Sequence, residues 1–411
     1  MPAVVVSPIV AVLEQADLPP LDPGDRAGTA GVAVSLVEAF ERVPDPRQAR
    51  GIRHGLVPLL VLAACAVMTG ARSFAAIGEY ARDKGRLVLD TLGADGALPH
   101  AATIRRILVT IDPAGLQEAI TAWSLAQLTA RDRPTSDMPA RERRPVIAVD
   151  GKTVRGARTR TGDDDGRQPH LVAALDQHTG AVLAQTAVAE KASEIAALPV
   201  VLDGLDITDA VITADALHVQ RSHADYLHAR GAHYLLPVKA NQPTLLRRLR
   251  ALPWTAIGVD ARERCRGHGR VETRTIAVVC LDPLPDFGAG EFFPYAVQAV
   301  RIVRRRRSLH GRWKTTTTYM ITSLSPFQAG PALLARWARR HWGIEALHWI
   351  RDNAFDEDRS QVRTGNAPQV MAALRNLAIT ALRLAGISSI TAAMRDHARN
   401  PGKPMTTYKI I

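Results

Sequence analysis

The stretch Pro145-Val-Ile-Ala-Val-Asp150, followed by Gly151-Lys152-Thr153, narrows the possible folds more than any other part of the chain. Four apolar residues in a row, bounded by a proline and an Asp-Gly turn, predict a buried strand that delivers a carboxylate to its exposed end. Ala210-Val-Ile-Thr-Ala-Asp215 repeats the pattern, and a third acid, Glu345, stands on a predicted helix in His341-Trp-Gly-Ile-Glu345. Two strand-end aspartates and one helical glutamate suggest a divalent-metal nuclease site.

The elements after Asp150 say how those acids could meet. His170 to Leu175 and Ala181 to Val188 flank Asp176-Gln-His-Thr-Gly180 and read as a hairpin. A helix from Glu194 to about Leu205 leads to the Ala210–Asp215 strand, then come a helix near His218 to Arg230, a strand His233 to Lys239 and a helix Pro243 to Leu252. Three antiparallel strands followed by helix, strand, helix, strand and helix is the order of a ribonuclease H-like α/β domain. There the first strand is central and the fourth lies beside it, so Asp150 and Asp215 are expected to be neighbours.

Before that core we expect a loose leader over 1–32, a small helical N-terminal domain over 33–130 and a polar linker over 131–144. Ser35 and Glu38 form a capping-box pattern, Leu56 to Met68 reads as a buried helix, and Phe74 to about Leu92 as another. Helices over His100 to Ile111 and Ala114 to Leu128, with Arg105 and Arg106 adjacent, fit either a helix-turn-helix that binds DNA or an ordinary helical pair. The catalytic domain is expected over 145–261 and 324–390. A β-rich insertion fills 262–323, on strands Val271 to Val279, Tyr295 to Val303 and Thr315 to Thr322, and a tail follows over 391–411. Trp337 to Asp352 reads as the helix carrying Glu345, and Val370 to Leu384 as an amphipathic helix packed on the core.

Lys+Arg 52 against Asp+Glu 40 leaves a formal charge of +12, which favours an acidic polymer as partner, nucleic acid first. Arg301, Arg304, Arg305, Arg306, Arg307, Arg312 and Lys314 crowd the central hairpin of the insertion, a density that points to phosphate contact. Three cysteines without CxxC spacing indicate neither a disulfide framework nor a standard zinc site and suit a reducing cytoplasm. The most apolar run, Leu56 to Met68, is shorter than the roughly 20 residues a bilayer span needs, so no membrane association is expected. Gly151-Lys152-Thr153 lacks the earlier glycine of a phosphate-binding loop, because Val146 occupies that place.

Phosphodiester cleavage or joining needs an activated oxygen nucleophile and neutralisation of charge at the phosphorus and the leaving oxygen. Two magnesium ions supply these, with manganese as a substitute, and carboxylates are the ligands such hard cations take. Asp150 suits the bridging role, with Asp215 and Glu345 each holding one ion; Asp352, Asp356, Glu357 and Asp358 compete with Glu345 for the third place.

At these residues the chain resembles the DDE transposases of bacterial insertion sequences, in the As-one branch of the insertion-sequence-four superfamily, also called H-repeat-associated proteins. The resemblance rests on Ala148-Val-Asp-Gly-Lys-Thr-Val-Arg-Gly156, on Thr213-Ala-Asp-Ala-Leu-His218 and on His341-Trp-Gly-Ile-Glu345 through Glu357-Asp358 to Arg363-Thr-Gly-Asn-Ala-Pro368. Val43-Pro-Asp-Pro-Arg47 through Gly70-Ala-Arg-Ser-Phe74 resembles the N-terminal domain associated with that branch. It implies a metal triad at Asp150, Asp215 and Glu345, and cleavage at element ends with joining of the freed 3′ hydroxyls to target DNA. Double-stranded DNA would be the partner, with a homo-oligomer holding both ends in a nucleoid-associated, cytoplasmic complex. Expected phosphate contacts are Lys152, Arg155, Lys239, Arg304, Arg305, Arg306, Arg307, Arg340, Arg351 and Arg363. The wider superfamily places Tyr, Arg, Glu and Lys at fixed spacings where this chain has Ala338, His341, Glu345 and Asp352. Its basic residue arrives one position early, at Arg351, and Arg340 stands near the place of the missing arginine.

Overall fold

Caps set the N-terminal helices. Ser35 and Glu38 make the reciprocal capping box before α1 (Leu36–Glu41), each side chain accepting from the other residue's backbone N–H. α2 (Leu56–Met68) lacks a side-chain cap and is held by burial of nearly its whole length. Ser73 caps α3 (Phe74–Thr91), the His100 ring caps α4 (Ala101–Thr110), and Asp112 caps α5 (Pro113–Thr129), whose first position is a proline with no N–H to satisfy. The computed structural model describes residues 34–50, 52–130, 140–158, 168–188, 194–267, 269–281, 293–308 and 311–411. The expected leader over 1–32 and most of the linker over 131–144 lie outside them.

The strands begin with β1 (Val146–Thr153), followed by the antiparallel hairpin of β2 (His170–Asp176) and β3 (Val182–Val188). After α6 (Glu194–Asp203) come β4 (Val211–Ala214), α7 (Arg221–Ala229), β5 (His233–Val238), α8 (Pro243–Ala251) and the short α9 (Trp254–Ile257). β4 is parallel to both β1 and β5, and α7 is the crossover that the parallel β4–β5 pair requires.

The insertion differs from expectation in two ways. It holds β6 (Ala261–Gly267), β7 (Arg270–Cys280), β8 (Gln298–Ser308) and β9 (Lys314–Thr322), one strand more than the sequence pattern predicts. β8 also runs on through Arg304 to Arg307, so these arginines form the end of a strand and not a turn. Both departures have one cause: a strand paired on its backbone and open to water needs no apolar alternation, which is the signal the eye looks for. β9 pairs with β5, so the insertion continues the main sheet in the order β1-β4-β5-β9-β8-β7-β6.

The predicted Trp337–Asp352 helix is two helices, α10 (Pro331–Arg340) and α11 (Gly343–Asn353), broken at His341-Trp342 before the helix-weakening Gly343. α12 (Ala367–Leu384) is buried nearly all round and not amphipathic against solvent. Its polar residues are bonded inside: Arg375 Nη1 donates to Glu357 Oε1 at 2.8 Å, Asn376 Nδ2 to Gln185 Oε1 at 2.9 Å, and Thr380 Oγ1 accepts from the Val182 N–H at 3.0 Å.

Two compact units result. One comprises the described parts of Pro134–Asp150 and Asp206–Glu345; the other comprises the described parts of Leu18–Arg133, Gly151–Leu205 and Ala346–Ile411. In the first, Val146, Val211, Leu235, Ile276, Val300 and Met320 of the sheet pack with Leu333, Leu334 and Trp337 of α10. In the second, α5 packs against α1, α12 and β3, so the N-terminal helices share a core with later elements. α5 exposes only Ala114, Glu118 and Thr129, while Arg105 and Arg106 of α4 are both exposed. Among the described residues no helix is long and apolar enough to cross a membrane.

The second unit is held by a buried charge cluster. Glu357 accepts from Arg351 Nε and Nη2 at 2.9 and 3.0 Å and from Arg375 Nη1 at 2.8 Å, with all three residues at most 1% exposed. Desolvation would raise the Glu357 carboxyl, but the two guanidiniums overcome it and hold the value at about 2. Because the folded value lies below the ordinary 4.5, this contribution to stability is complete above about pH 4.5 and is lost as pH falls through about 2. Glu357→Ala leaves two buried arginines without their carboxylate and should cost about 3 to 5 kcal/mol in urea unfolding. A loss below about 1 kcal/mol would mean that water reaches the cluster.

Candidate active site

The parallel register Val146↔Val211 to Val149↔Ala214 makes Asp150 and Asp215 the next step of the same ladder. Neighbouring strands lie about 4.8 Å apart, and residues at equal steps share a face. Both aspartates are partly exposed while the residues leading to them in β1 and β4 are buried, so each is the first partly exposed residue after a buried run. Asp215 ends β4 by capping the turn Ala216–His218, its Oδ1 accepting from the Leu217 N–H at 2.7 Å. Lys239 follows the end of β5 directly and is exposed. β1 runs on through Asp150 and Gly151 to Thr153, against the Asp-Gly turn expected there, so Asp150 sits where the ladder with β4 ends, while Asp215 follows β4 and Lys239 follows β5, on the side of the sheet where α/β folds hold their sites.

Glu345 comes from the first turn of α11, and the break before that helix explains how it is aimed. His341 Nδ1 lies 3.0 Å from Thr213 Oγ1, and Thr213 stands two residues before Asp215, on the same face of β4. Thr213 Oγ1 also reaches the Ile147 carbonyl of β1 at 3.4 Å. His341 is thus latched to the ladder that carries the aspartates, and Glu345 follows it by four residues, about one helical turn. Desolvation takes the His341 imidazole down to about 4 against the upward pull of Asp215, so the ring is neutral at pH 7. Desolvation also raises the Glu345 carboxyl, and Lys239 pulls it back.

The rival acids are spent elsewhere, in the second unit. Glu357 is in the buried cluster, Asp352 and Asp358 hold Lys152 Nζ at 2.8 and 3.1 Å, and Asp356 faces Arg72 at 3.7 Å. The three remaining carboxylates suit a hard divalent cation in donor chemistry. Among the described residues, no group of three or more His, Cys, Asp or Glu side chains is drawn together tightly enough to hold an ion as the side chains stand.

The expected phosphate contacts divide. Lys152 is buried in its pair with Asp352 and Asp358, and Arg351 is fully buried on Glu357, so both face carboxylates and not solvent. Arg304 donates to Glu272 at 2.5 Å, and Arg363 Nε donates to the Gly156 carbonyl at 2.8 Å. Arg155, Lys239, Arg305, Arg306 and Arg307 are exposed, and Arg340 is partly so. The Thr213–His341 latch is the part that sequence reasoning missed; its two residues have no spacing in common.

The family described as Transposase DDE domain matches residues 141–381, a span that includes all three acids, and its associated family, DDE_Tnp_1-associated, matches residues 37–124. The chain belongs to the H-repeat-associated family of DDE transposases. It is 28% identical over 365 residues to the putative transposase YncI of Escherichia coli O157:H7, covering 85% of this chain and 87% of that one. It is 30% identical over 365 residues to the H repeat-associated putative transposase YhhI of Escherichia coli strain K12, covering 84% and 90%. A solved piggyBac transposase synaptic complex with hairpin DNA aligns over 92% of this chain and 77% of its own, at a TM-score of 0.40 and 8% identity, a likeness too slight to argue from.

The latch has a pH signature. The His341 value of about 4 lies below the ordinary 6.5, so protonation favours the unfolded chain; the stabilisation is complete above about pH 6.5 and is lost as pH falls through about 4. His341→Asn should flatten the loss of stability between those values in pH-resolved urea unfolding. An unchanged pH profile would show that the ring is solvated and not latched.

Proposed function

We propose that this chain is a DNA transposase that cleaves the ends of an insertion sequence and joins the freed 3′ hydroxyls to target DNA, on a ribonuclease H-like core. The observation that carries the reading is the β1–β4 register, which makes Asp150 and Asp215 neighbours where that ladder ends, inside the span of the DDE family match. Asp150, Asp215 and Glu345 would hold two magnesium ions, or manganese in their place. Those ions, when bound, supply an activated oxygen nucleophile and a counter-charge for the phosphoryl oxygens.

The chain's own residues do the positioning. His341 anchors the start of α11 and so fixes the approach of Glu345, while its neutrality adds no positive charge beside the acids. Lys239, exposed beside the strand ends, offers an ammonium to a scissile-strand phosphate. Arg340, Arg305 and Arg307 extend the basic surface over which DNA is held, and Arg155 is a further exposed cation, in keeping with the net charge of +12. A homo-oligomer in the nucleoid follows from the reaction, since both ends of an element must be held together.

Asp150→Asn, Asp215→Asn and Glu345→Gln should each reduce metal-dependent nicking of a labelled fragment carrying the DNA that flanks the gene by at least about a thousandfold, the order lost when a main transition-state contact goes. Binding in calcium should hold within a few-fold, and EDTA should stop cutting by the wild type. Cutting without transfer into a plasmid would make the chain a nuclease of the same fold. Binding without cutting in magnesium, manganese or calcium would make it a DNA-binding relic.

A further inference from the structure

The strand register of the insertion sorts its charges onto two faces, although the sequence mixes them. Arg262, Arg264 and Arg266 of the edge strand β6 stand opposite Thr275, Thr273 and Val271 of β7, which stand opposite Val303, Arg305 and Arg307 of β8; Thr317 and Thr315 of β9 complete the rows beside Val303 and Arg305. Directly opposed residues point to the same side of a sheet, as do alternate residues along a strand. Over these three rows one face therefore collects five arginines and four threonines with no acid among them. All five arginines are exposed, and none is paired with a carboxylate among the described residues.

The other face is built differently. There Glu263 and Glu272 of β6 and β7 stand among Arg274, Arg304 and Arg306. Glu272 holds Arg274 at 2.6 Å and Arg304 at 2.5 Å, and Glu263 pairs with Arg339 of α10. This side continues into the one that α10 covers, through Ile276, Val300 and Met320, so its charges are neutralised where they approach packed structure. The acid-free face has no such reason to leave five charges uncompensated. On it, threonines separate the arginines across the strands and avoid like charges directly opposite. Arg305 and Arg307 are further spread by stacking on the exposed Trp313, with guanidinium carbons 5.2 and 5.0 Å from its ring.

We propose that this face, led by the Arg262-Arg264-Arg266 row of β6, is a track for the phosphate backbone of double-stranded DNA, and that the neighbouring Arg304 and Arg306 are not part of it. Arginine and threonine are side chains that contact phosphate, and successive arginines on one strand face repeat every 6.6 to 6.8 Å. The inference rests on the DNA-binding reading above and adds which surface does the binding.

The test compares full-length wild type, Arg262→Gln/Arg264→Gln/Arg266→Gln and Arg306→Gln for binding to a labelled duplex across a salt series, with circular dichroism checking the fold. Each phosphate contact contributes about −0.9 to the slope of log affinity against log salt. The triple variant should flatten the slope by up to about 3 and weaken binding at least about tenfold, while Arg306→Gln, on the opposite face, leaves the slope unchanged. A folded triple variant with the wild-type slope, or an equal change in Arg306→Gln, overturns the track and leaves DNA binding intact. A wild type that shows no salt-dependent binding overturns the functional reading together with it.

Discussion

The backbone ladder between β1 and β4 is the constraint from which the candidate site follows. Its hydrogen bonds are indifferent to side chains, but its register is not: a slip of one residue would turn each aspartate to the opposite face relative to its neighbour. Buried Val146, Ile147, Ala148 and Val149 against Val211, Ile212, Thr213 and Ala214 prevent that slip, because a shift would drive the core sets out of packing. Once the register is held, Thr213 faces the side of Asp215, His341 finds Thr213, and Glu345 is delivered four residues later. A single polar side chain in an otherwise apolar strand thus connects the sheet to the helix carrying the third acid.

Charge is handled in opposite ways in different parts of the chain. Arg351 and Arg375 are wholly buried and share one carboxylate, with Gln185 accepting from Arg351 as well, so the desolvated cations keep partners. Removing water makes such an arrangement stringent: satisfied, it specifies one packing, and broken, it leaves a charge that nothing screens. In the insertion, arginines instead remain in water on one face, while on the other Arg274 and Arg304 are neutralised by Glu272 on the side that continues under α10. The same residue type serves as structural staple or as available cation according to what covers it.

The place of His341 also bears on how this chain departs from its wider superfamily. Where the general pattern has an arginine, this chain has a desolvated, neutral imidazole tied to the sheet. An arginine there would place a permanent charge beside the acids; the imidazole contributes a hydrogen bond without one. Arg351, the basic residue that arrives one position early, faces inward to Glu357, as expected of a helix turned by about 100° per residue.

Much of this was readable in the sequence: the apolar strands leading to Asp150 and Asp215, the parallel neighbour relation of those strands, the capping box at Ser35, and the helical setting of Glu345, although β1 runs on past Asp150 to Thr153. Each is a local pattern, a strand period or a cap, whose physics acts over a few residues. The strand β6, the passage of β8 through its arginines, the near-complete burial of α12, the enclosure of α5 and the Thr213–His341 latch were decided only by tertiary structure. In each of these the outcome depends on what lies across a sheet or against a helix face. Local composition records a residue's type and period, but burial and pairing are properties of its neighbours in space, and those neighbours lie far apart along the chain.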